Sequence, residues 1–138
     1  MMNRDVVATC LLMGLFAASP AAWAGRDAPI QNLVDVPVMW MPGVEPSADK
    51  LARAVVTVCA RLGWVCQIVS PGEIHGRLNL RSHEANVRIP YAADKYSILY
   101  ESSDNLRYDA EKNTIHRNYN NWVLNLQRQI NAEVASTP

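Results

Sequence analysis

The spacing of apolar residues changes at Gly63, from the period of a helix to the strict alternation of β-strands. Before this point, Ser47 is a good N-cap and Asp49 lies in the first turn, where the helix dipole favours an anion. The pattern predicts a helix over 47–62 that ends at Gly63. Its apolar positions recur at helical spacing, at Leu51, Val55, Val58, Cys59 and Leu62.

Four alternating segments follow, and each places its apolar residues on one face. They predict a four-stranded antiparallel meander. Its inward residues are Trp64, Cys66, Ile68, Leu78, Leu80, Ala85, Val87, Ile89, Tyr91, Tyr96, Ile98 and Tyr100.

Turn chemistry predicts the register of the meander, because a shift by one residue would turn every side chain to the wrong face. A turn at Ser82 and His83 places Arg77 directly opposite Arg88. A turn through 92–95 pairs Tyr91 with Tyr96. The first hairpin turns through Ser70-Pro71-Gly72-Glu73, and it requires a β-bulge if Ile68 is to lie opposite Leu78.

The remaining segments complete a two-layer α+β domain, with both helices on the apolar sheet face. Prolines make 25–46 an extended lead-in, and the domain proper is expected over 47–135. Residues 102–117 read as a polar loop anchored by Leu106 and Tyr108. A last helix begins near Asn118 and buries Tyr119, Trp122, Val123, Leu126, Ile130 and Val134.

The first 24 residues have the features of a cleavable secretory signal. Arg4 supplies the positive charge, 6–18 form an apolar run, and Ala22-Trp23-Ala24 offers a cleavage site. The run is shorter than the ~20 residues that span a bilayer. Cys10 lies inside the run with too little hydrophobic segment before it for lipid attachment. We therefore expect cleavage after Ala24 and a periplasmic protein.

Cleavage would leave 114 residues, the size of one domain, with 12 basic and 12 acidic side chains. This balance gives no basic footprint for nucleic acid, and no later apolar run predicts a transmembrane span. Cys59 and Cys66 are the two remaining cysteines. An oxidising compartment favours a disulfide between them. Two buried thiols or a redox-active pair are the alternatives.

Few residues suggest catalysis. His75, His83 and His116 are the only histidines, and no cysteine or carboxylate cluster with metal-ligand spacing accompanies them, so no metal or other cofactor is predicted. Ser102, Ser103 and His116 form the one formal set for a hydrolase, without a recognised nucleophile motif.

Two surfaces are candidate binding sites. Arg77, Arg81 and Arg88 lie on the outer sheet face, and the repulsion of Arg77 by a facing Arg88 would be relieved by an anionic partner. A solvated face screened by Glu84 and Glu101 is the alternative interpretation.

The second surface lies where the sequence resembles a known family. The run Ile-His-Arg-Asn-Tyr-Asn-Asn-Trp-Val-Leu-Asn-Leu at 115–126, with Gly63-Trp64, Tyr96-Ser97-Ile98, Ser103-Asp104-Asn105-Leu106 and Tyr108, resembles a family of small exported proteins and predicted lipoproteins of Gram-negative proteobacteria. The resemblance implies export and an intact domain, and it implies no activity. The chain departs from lipoprotein members because it lacks a usable lipid-modified cysteine.

Within that run, His116, Arg117, Tyr119 and Asn120 form either a ligand site or a clamp at the start of the last helix, with Asn118 as its cap. We therefore predict a non-enzymatic periplasmic binding module for an envelope protein or a small anionic ligand. Its contact surface is the arginine face or 116–120. The alternatives are a small envelope hydrolase using His116 and a structural protein that self-associates through its open sheet face.

Overall fold

The structure, a computed structural model, describes residues 25–138. The predicted signal segment and its cleavage site after Ala24 lie outside the described residues. The described chain is an α+β protein with two helices, a five-stranded antiparallel sheet and a small two-stranded sheet. In chain order the elements are β1 (Asp27–Pro29), β2 (Leu33–Pro37), α1 (Ala48–Leu62), β3 (Trp64–Ser70), β4 (Glu73–Leu80), β5 (His83–Pro90), β6 (Lys95–Asp104), β7 (Thr114–His116) and α2 (Arg117–Ala135).

The first helix confirms the sequence prediction at both ends. The Ser47 side chain accepts a hydrogen bond from the Lys50 backbone N–H at 3.3 Å. Gly63 takes the left-handed conformation, with φ of 85°, which a glycine adopts without a steric penalty. Because Gly63 ends α1 so sharply, the chain turns back at once into β3.

The predicted disulfide is present and joins α1 to β3, with the Cα atoms of Cys59 and Cys66 6.0 Å apart. Gly76 lies opposite Cys66 on β4. A Cβ at Gly76 would come within 3.2 Å of the Cys66 sulfur and 3.0 Å of a Val87 methyl group. The missing side chain therefore makes room for the disulfide under the helix.

The prediction of a four-stranded meander is corrected to a five-stranded sheet in the order β2-β6-β5-β4-β3. The additional strand comes from the lead-in, whose residues 33–37 pair with β6, while residues 27–29 pair with β7. The predicted loop over 102–117 is also partly wrong. Strand β6 continues to Asp104 and Thr114–His116 form β7, because backbone pairing overrides the polar composition.

The predicted register between β4 and β5 is wrong by two residues. The turn lies at Arg81 and Ser82, with Arg81 at φ of 59°, so Arg77 lies opposite Asn86 and Arg88 lies opposite His75. A shift of two preserves the face of every side chain, so the alternation pattern cannot detect it.

The hairpin between β5 and β6 confirms its prediction, because Tyr91 pairs with Tyr96. The first hairpin confirms the expected bulge, with a register shift between Ile68 and Ser70. Its predicted pairing of Ile68 with Leu78 is wrong: the tight turn places Ile68 opposite Ile74 and Leu78 opposite Trp64.

Both helices contribute to one core on one face of the sheet. Ile68 and Leu80, predicted to point inward, are 52% and 45% exposed; Ile68 lies on the edge strand and Leu80 is the last residue of β4. Ile74 is fully buried opposite Ile68 and was missed by the strand prediction. Among residues 25–138, no helix combines the length and the hydropathy required to cross a bilayer.

Helix α2 begins at Arg117, one residue earlier than predicted, and its N-cap is His116. The His116 Nδ1 accepts a hydrogen bond from the Asn118 backbone N–H at 3.2 Å. The prediction of Asn118 as the cap is therefore wrong, because the imidazole accepts the hydrogen bond that caps the helix.

Candidate functional site

The arginines of the outer sheet face do not repel each other as the sequence suggested. Arg77 donates to Glu84 at 2.8 Å, and Arg88 lies 3.7 Å from Glu73. Hydrogen bonds from Asn86 and then Arg77 lower the pKa of Glu84. Arg77 and Arg88 each lie beside a carboxylate and do not face each other, so the argument for an anionic partner from facing like charges is wrong.

Arg81 lies exposed in the β4–β5 turn and takes no part in these ion pairs. A shallow groove of about 240 Å³ crosses the same face, where the His75 Nδ1 lies 3.8 Å from Glu101. The outer face is therefore a solvated surface of paired charges, with one small depression.

The segment 116–120 acts as a clamp on the lead-in. Asn120 is 6% exposed; its Oδ1 accepts from the Gln31 backbone N–H at 3.0 Å, and its Nδ2 donates to the Pro29 carbonyl at 2.9 Å. The Arg117 N–H donates to the Arg26 carbonyl at 2.7 Å, and the exposed Arg117 side chain extends outward. Tyr119 is fully buried. The structure therefore does not bring the four predicted residues together around a free surface.

His116 also has a structural role. Its backbone N–H donates to the Leu106 carbonyl at 2.8 Å, and the centre of its ring lies 6.5 Å from that of the His83 ring. The Ser102 hydroxyl accepts from Asn86, and the Ser103 hydroxyl bonds to the Tyr100 hydroxyl. Within the part of the chain that the structure describes, neither serine is hydrogen-bonded to His116.

A separate cleft lies between β1 and the loop that joins β6 to β7. Its volume is about 930 Å³. We call it the β1 cleft; its lining comprises Gly25, Arg26, Asp27, Ala28, Pro29, Arg107, Tyr108, Asp109, Lys112 and Thr114. Pairing of β1 with β7 creates the cleft by bringing the lead-in beside the loop 105–113.

Sequence reasoning missed this site because β1 and the loop are about 80 residues apart, as shown by the pairing of Asp27 with Arg107. The one signal in the sequence is the presence of two basic residues in a turn-rich loop, Arg107 and Lys112. An ordinary solvated loop has the same composition.

Three basic side chains and two carboxylates line the cleft. Arg107 donates to the Asp27 Oδ2 at 3.1 Å, and Lys112 lies 3.7 Å from Asp109. Arg26 is exposed and forms no ion pair with any described residue. The lining therefore keeps an excess of positive charge.

Backbone strain is concentrated in the loop of this cleft. Asn105, Arg107 and Asn113 have φ of 58°, 57° and 53°, in the left-handed region. Asparagine tolerates this conformation, whereas an arginine pays a steric penalty for it. Such positions persist only where the surrounding structure holds them, and they cluster at functional sites.

Asp109 holds the tip of the loop. Its Oδ1 accepts from the Glu111 and Lys112 backbone N–H groups, each at 3.0 Å, and its backbone pairs with Thr114. The hydrogen bond from Lys112, followed by the one from Glu111, lowers the pKa of the Asp109 carboxyl. The loop is therefore fixed by a charged Asx turn.

A row of three tyrosines leads from the cleft wall into the core. Tyr108 is 43% exposed and stacks on Tyr100 at 4.5 Å, and Tyr100 meets Tyr119 edge-on at 5.5 Å. Burial raises the pKa of Tyr119, whose hydroxyl has no hydrogen-bond partner among residues 25–138. The Asp27 Oδ1 is likewise buried and unpartnered there. Both atoms are costly to leave without a hydrogen-bond partner.

No group of three or more potential metal-ligating side chains occurs among residues 25–138. Comparison with protein-family models, with curated proteins and with solved structures finds no match for this chain. The resemblance to small exported proteins therefore stays a prediction.

Proposed function

We propose that the chain is an exported, periplasmic binding module that takes a small anionic ligand, bearing a carboxylate or a phosphate group, in the β1 cleft. The proposal keeps the binding role predicted from the sequence. It moves the contact surface from the arginine face and 116–120 to the neighbouring cleft.

The observation that carries the proposal is the position of Arg107. Its backbone is held in the left-handed conformation at the cleft wall, at a cost that a glycine or asparagine would reduce. Its guanidinium is oriented by Asp27 at 3.1 Å. A planar donor fixed in this way can form paired hydrogen bonds to a carboxylate or phosphate.

The rest of the lining supports the same ligand chemistry. Arg26 and Lys112 add positive charge on either side of the cleft, and the half-exposed ring of Tyr108 provides an apolar wall. If export removes the residues before Gly25, the new terminal ammonium also lies in the lining. An anion with an apolar or planar body fits this combination.

The test uses protein recovered from the cell envelope, whose intact mass should correspond to a chain that begins at Gly25. Inorganic phosphate and succinate, as probes of the two anion classes, are titrated while amide chemical shifts are followed. We expect saturable shifts that are confined to β1 and the loop 105–113 and that weaken as ionic strength rises.

Two variants of the lining and one control locate the binding. Arg107→Gln and Lys112→Gln should each weaken binding, the first by about tenfold because it removes an oriented guanidinium. Arg128→Gln removes an exposed arginine from α2, outside the lining, and should leave binding unchanged. Shifts spread over the whole surface, or equal losses in all three variants, would reject the site.

A further inference from the structure

The two edges of the five-stranded sheet differ in how they are protected. At one edge, β2 has a register shift between Leu33 and Val36 with Asp35 at φ of 51°, and it ends at Pro37. Asp35 also lies 3.8 Å from Lys95. A bulge, a charge and a proline are the features by which natural proteins prevent another strand from pairing with an edge.

The other edge, β3, has almost none of these features. Its seven residues, Trp-Val-Cys-Gln-Ile-Val-Ser, contain no charged residue, no proline and no glycine. Val65, Ile68 and Val69 are 61%, 52% and 50% exposed. The register shift between Ile68 and Ser70 disturbs only the end next to the turn, so 64–68 remain a regular stretch.

From this contrast we infer that β3 pairs edge to edge, antiparallel, with β3 of a second copy of this chain. This surface is separate from the β1 cleft and from the open face of the sheet. A local two-fold axis through Cys66 places Ile68 of each copy beside Trp64 of the other, and the two five-stranded sheets become one.

Charge is what favours a second copy over a foreign strand. Because β3 carries no charge, antiparallel self-pairing places no like charges opposite each other, and each copy brings the same exposed aliphatic side chains. A strand from another protein would need both the absence of charge and the exposed aliphatic side chains.

The size of the contact sets the strength of the dimer. One pair of short strands buries less than the roughly 1,200–2,000 Å² of stable complexes. The dimer should therefore be weak and should form only as the protein concentration rises.

Sedimentation equilibrium of the full chain as purified, over a concentration series, tests this inference. The wild type should approach twice the monomer mass as concentration rises. Val65→Lys places a charge on the β3 edge and should stay monomeric. Val34 is 64% exposed on β2, so Val34→Lys is a matched control that should dimerise like the wild type.

A second edge variant, Gln67→Lys, should repeat the effect of Val65→Lys, and far-UV circular dichroism confirms that each variant is folded. A wild type that is monomeric at every concentration would overturn the inference. So would dimers that persist in both β3 variants, or that are lost in Val34→Lys. Arg107→Gln should still dimerise, so failure of the dimer and failure of the anion site are separate results.

Discussion

The disulfide region and the cleft region of this protein are held by different means. In the disulfide region, which comprises α1, β3 and β4, a covalent bond joins Cys59 to Cys66. The left-handed backbone positions between these three elements are the glycines Gly63 and Gly72, and Arg81 takes the same conformation in the turn after β4. In the cleft region, which comprises β1, β7 and the loop 105–113, the left-handed positions are Asn105, Arg107 and Asn113.

The kinds of contact differ in the same way. Helix α1 packs on the sheet through buried apolar side chains. The cleft region also buries Leu106 and Ile115, but β1 and the loop are held in addition by the polar contacts of Asn120, of Asp109 and of the Arg107–Asp27 pair. Two buried polar atoms have no partner among the described residues: one is on Asp27 of β1, and the other is on Tyr119 of α2. One region is stabilised by a covalent bond and apolar packing, and the other carries the backbone strain on which the proposed ligand site is built.

Loss of the disulfide should have the largest effect on stability and the smallest on the cleft. Reduction, or replacement of Cys59 and Cys66 by Ala, should lower the free energy of unfolding by about 2–3 kcal/mol, because the unfolded chain is no longer constrained. Denaturant unfolding of the oxidised and reduced protein measures this. Equal stability in both forms, or loss of anion binding on reduction, would contradict the contrast between the regions.

Loss of the Asn120 amide should affect the other region. Asn120→Ala leaves the Gln31 N–H and the Pro29 carbonyl without their partner and should lower the free energy of unfolding by about 1–2 kcal/mol. Hydrogen exchange should accelerate at Gln31 and in β1 and remain slow in β4. Uniform acceleration across both regions would show that they are not held independently.

The smallest expected effect is a pH response confined to the loop. Because hydrogen bonds from Lys112 and Glu111 lower the pKa of Asp109, its stabilising contribution is present above the unfolded pKa of about 3.9 and is lost as pH falls through the lower folded value. Amide shifts of these two residues should therefore titrate below pH ~3.9. Asp109→Asn, which keeps the turn acceptor but cannot ionise, should abolish the titration. A midpoint above the unfolded value would have the wrong sign.

The disulfide region could be predicted well from the sequence because its signals are local. The cap at Ser47, the stop at Gly63 and the alternation that follows give α1, β3 and the Cys59–Cys66 bond. The registers failed there. The predicted pairing of Ile68 with Leu78 is wrong, and the register between β4 and β5 is shifted by two residues, which leaves every face unchanged.

The cleft region could not be predicted because it depends on contacts between distant segments. Strands β1, β2 and β7 contain proline or polar residues and lack a clear strand pattern. Their pairing is decided by tertiary contacts. Asn120 was recognised as important, but its role in holding Pro29 and Gln31 requires the fold. The strain at Arg107 has no sequence signature.

The central claim is that the strained backbone at Arg107 places its guanidinium to bind an anion. A pair of variants tests this claim most directly. Arg107→Gly relieves the strain and Arg107→Ala retains it, while both remove the guanidinium. The free energy of unfolding should be higher for Arg107→Gly than for Arg107→Ala by about 1 kcal/mol, the reverse of the usual order. Both variants should lose phosphate binding. Wild-type phosphate affinity in either variant, or a less stable Arg107→Gly, would contradict the account.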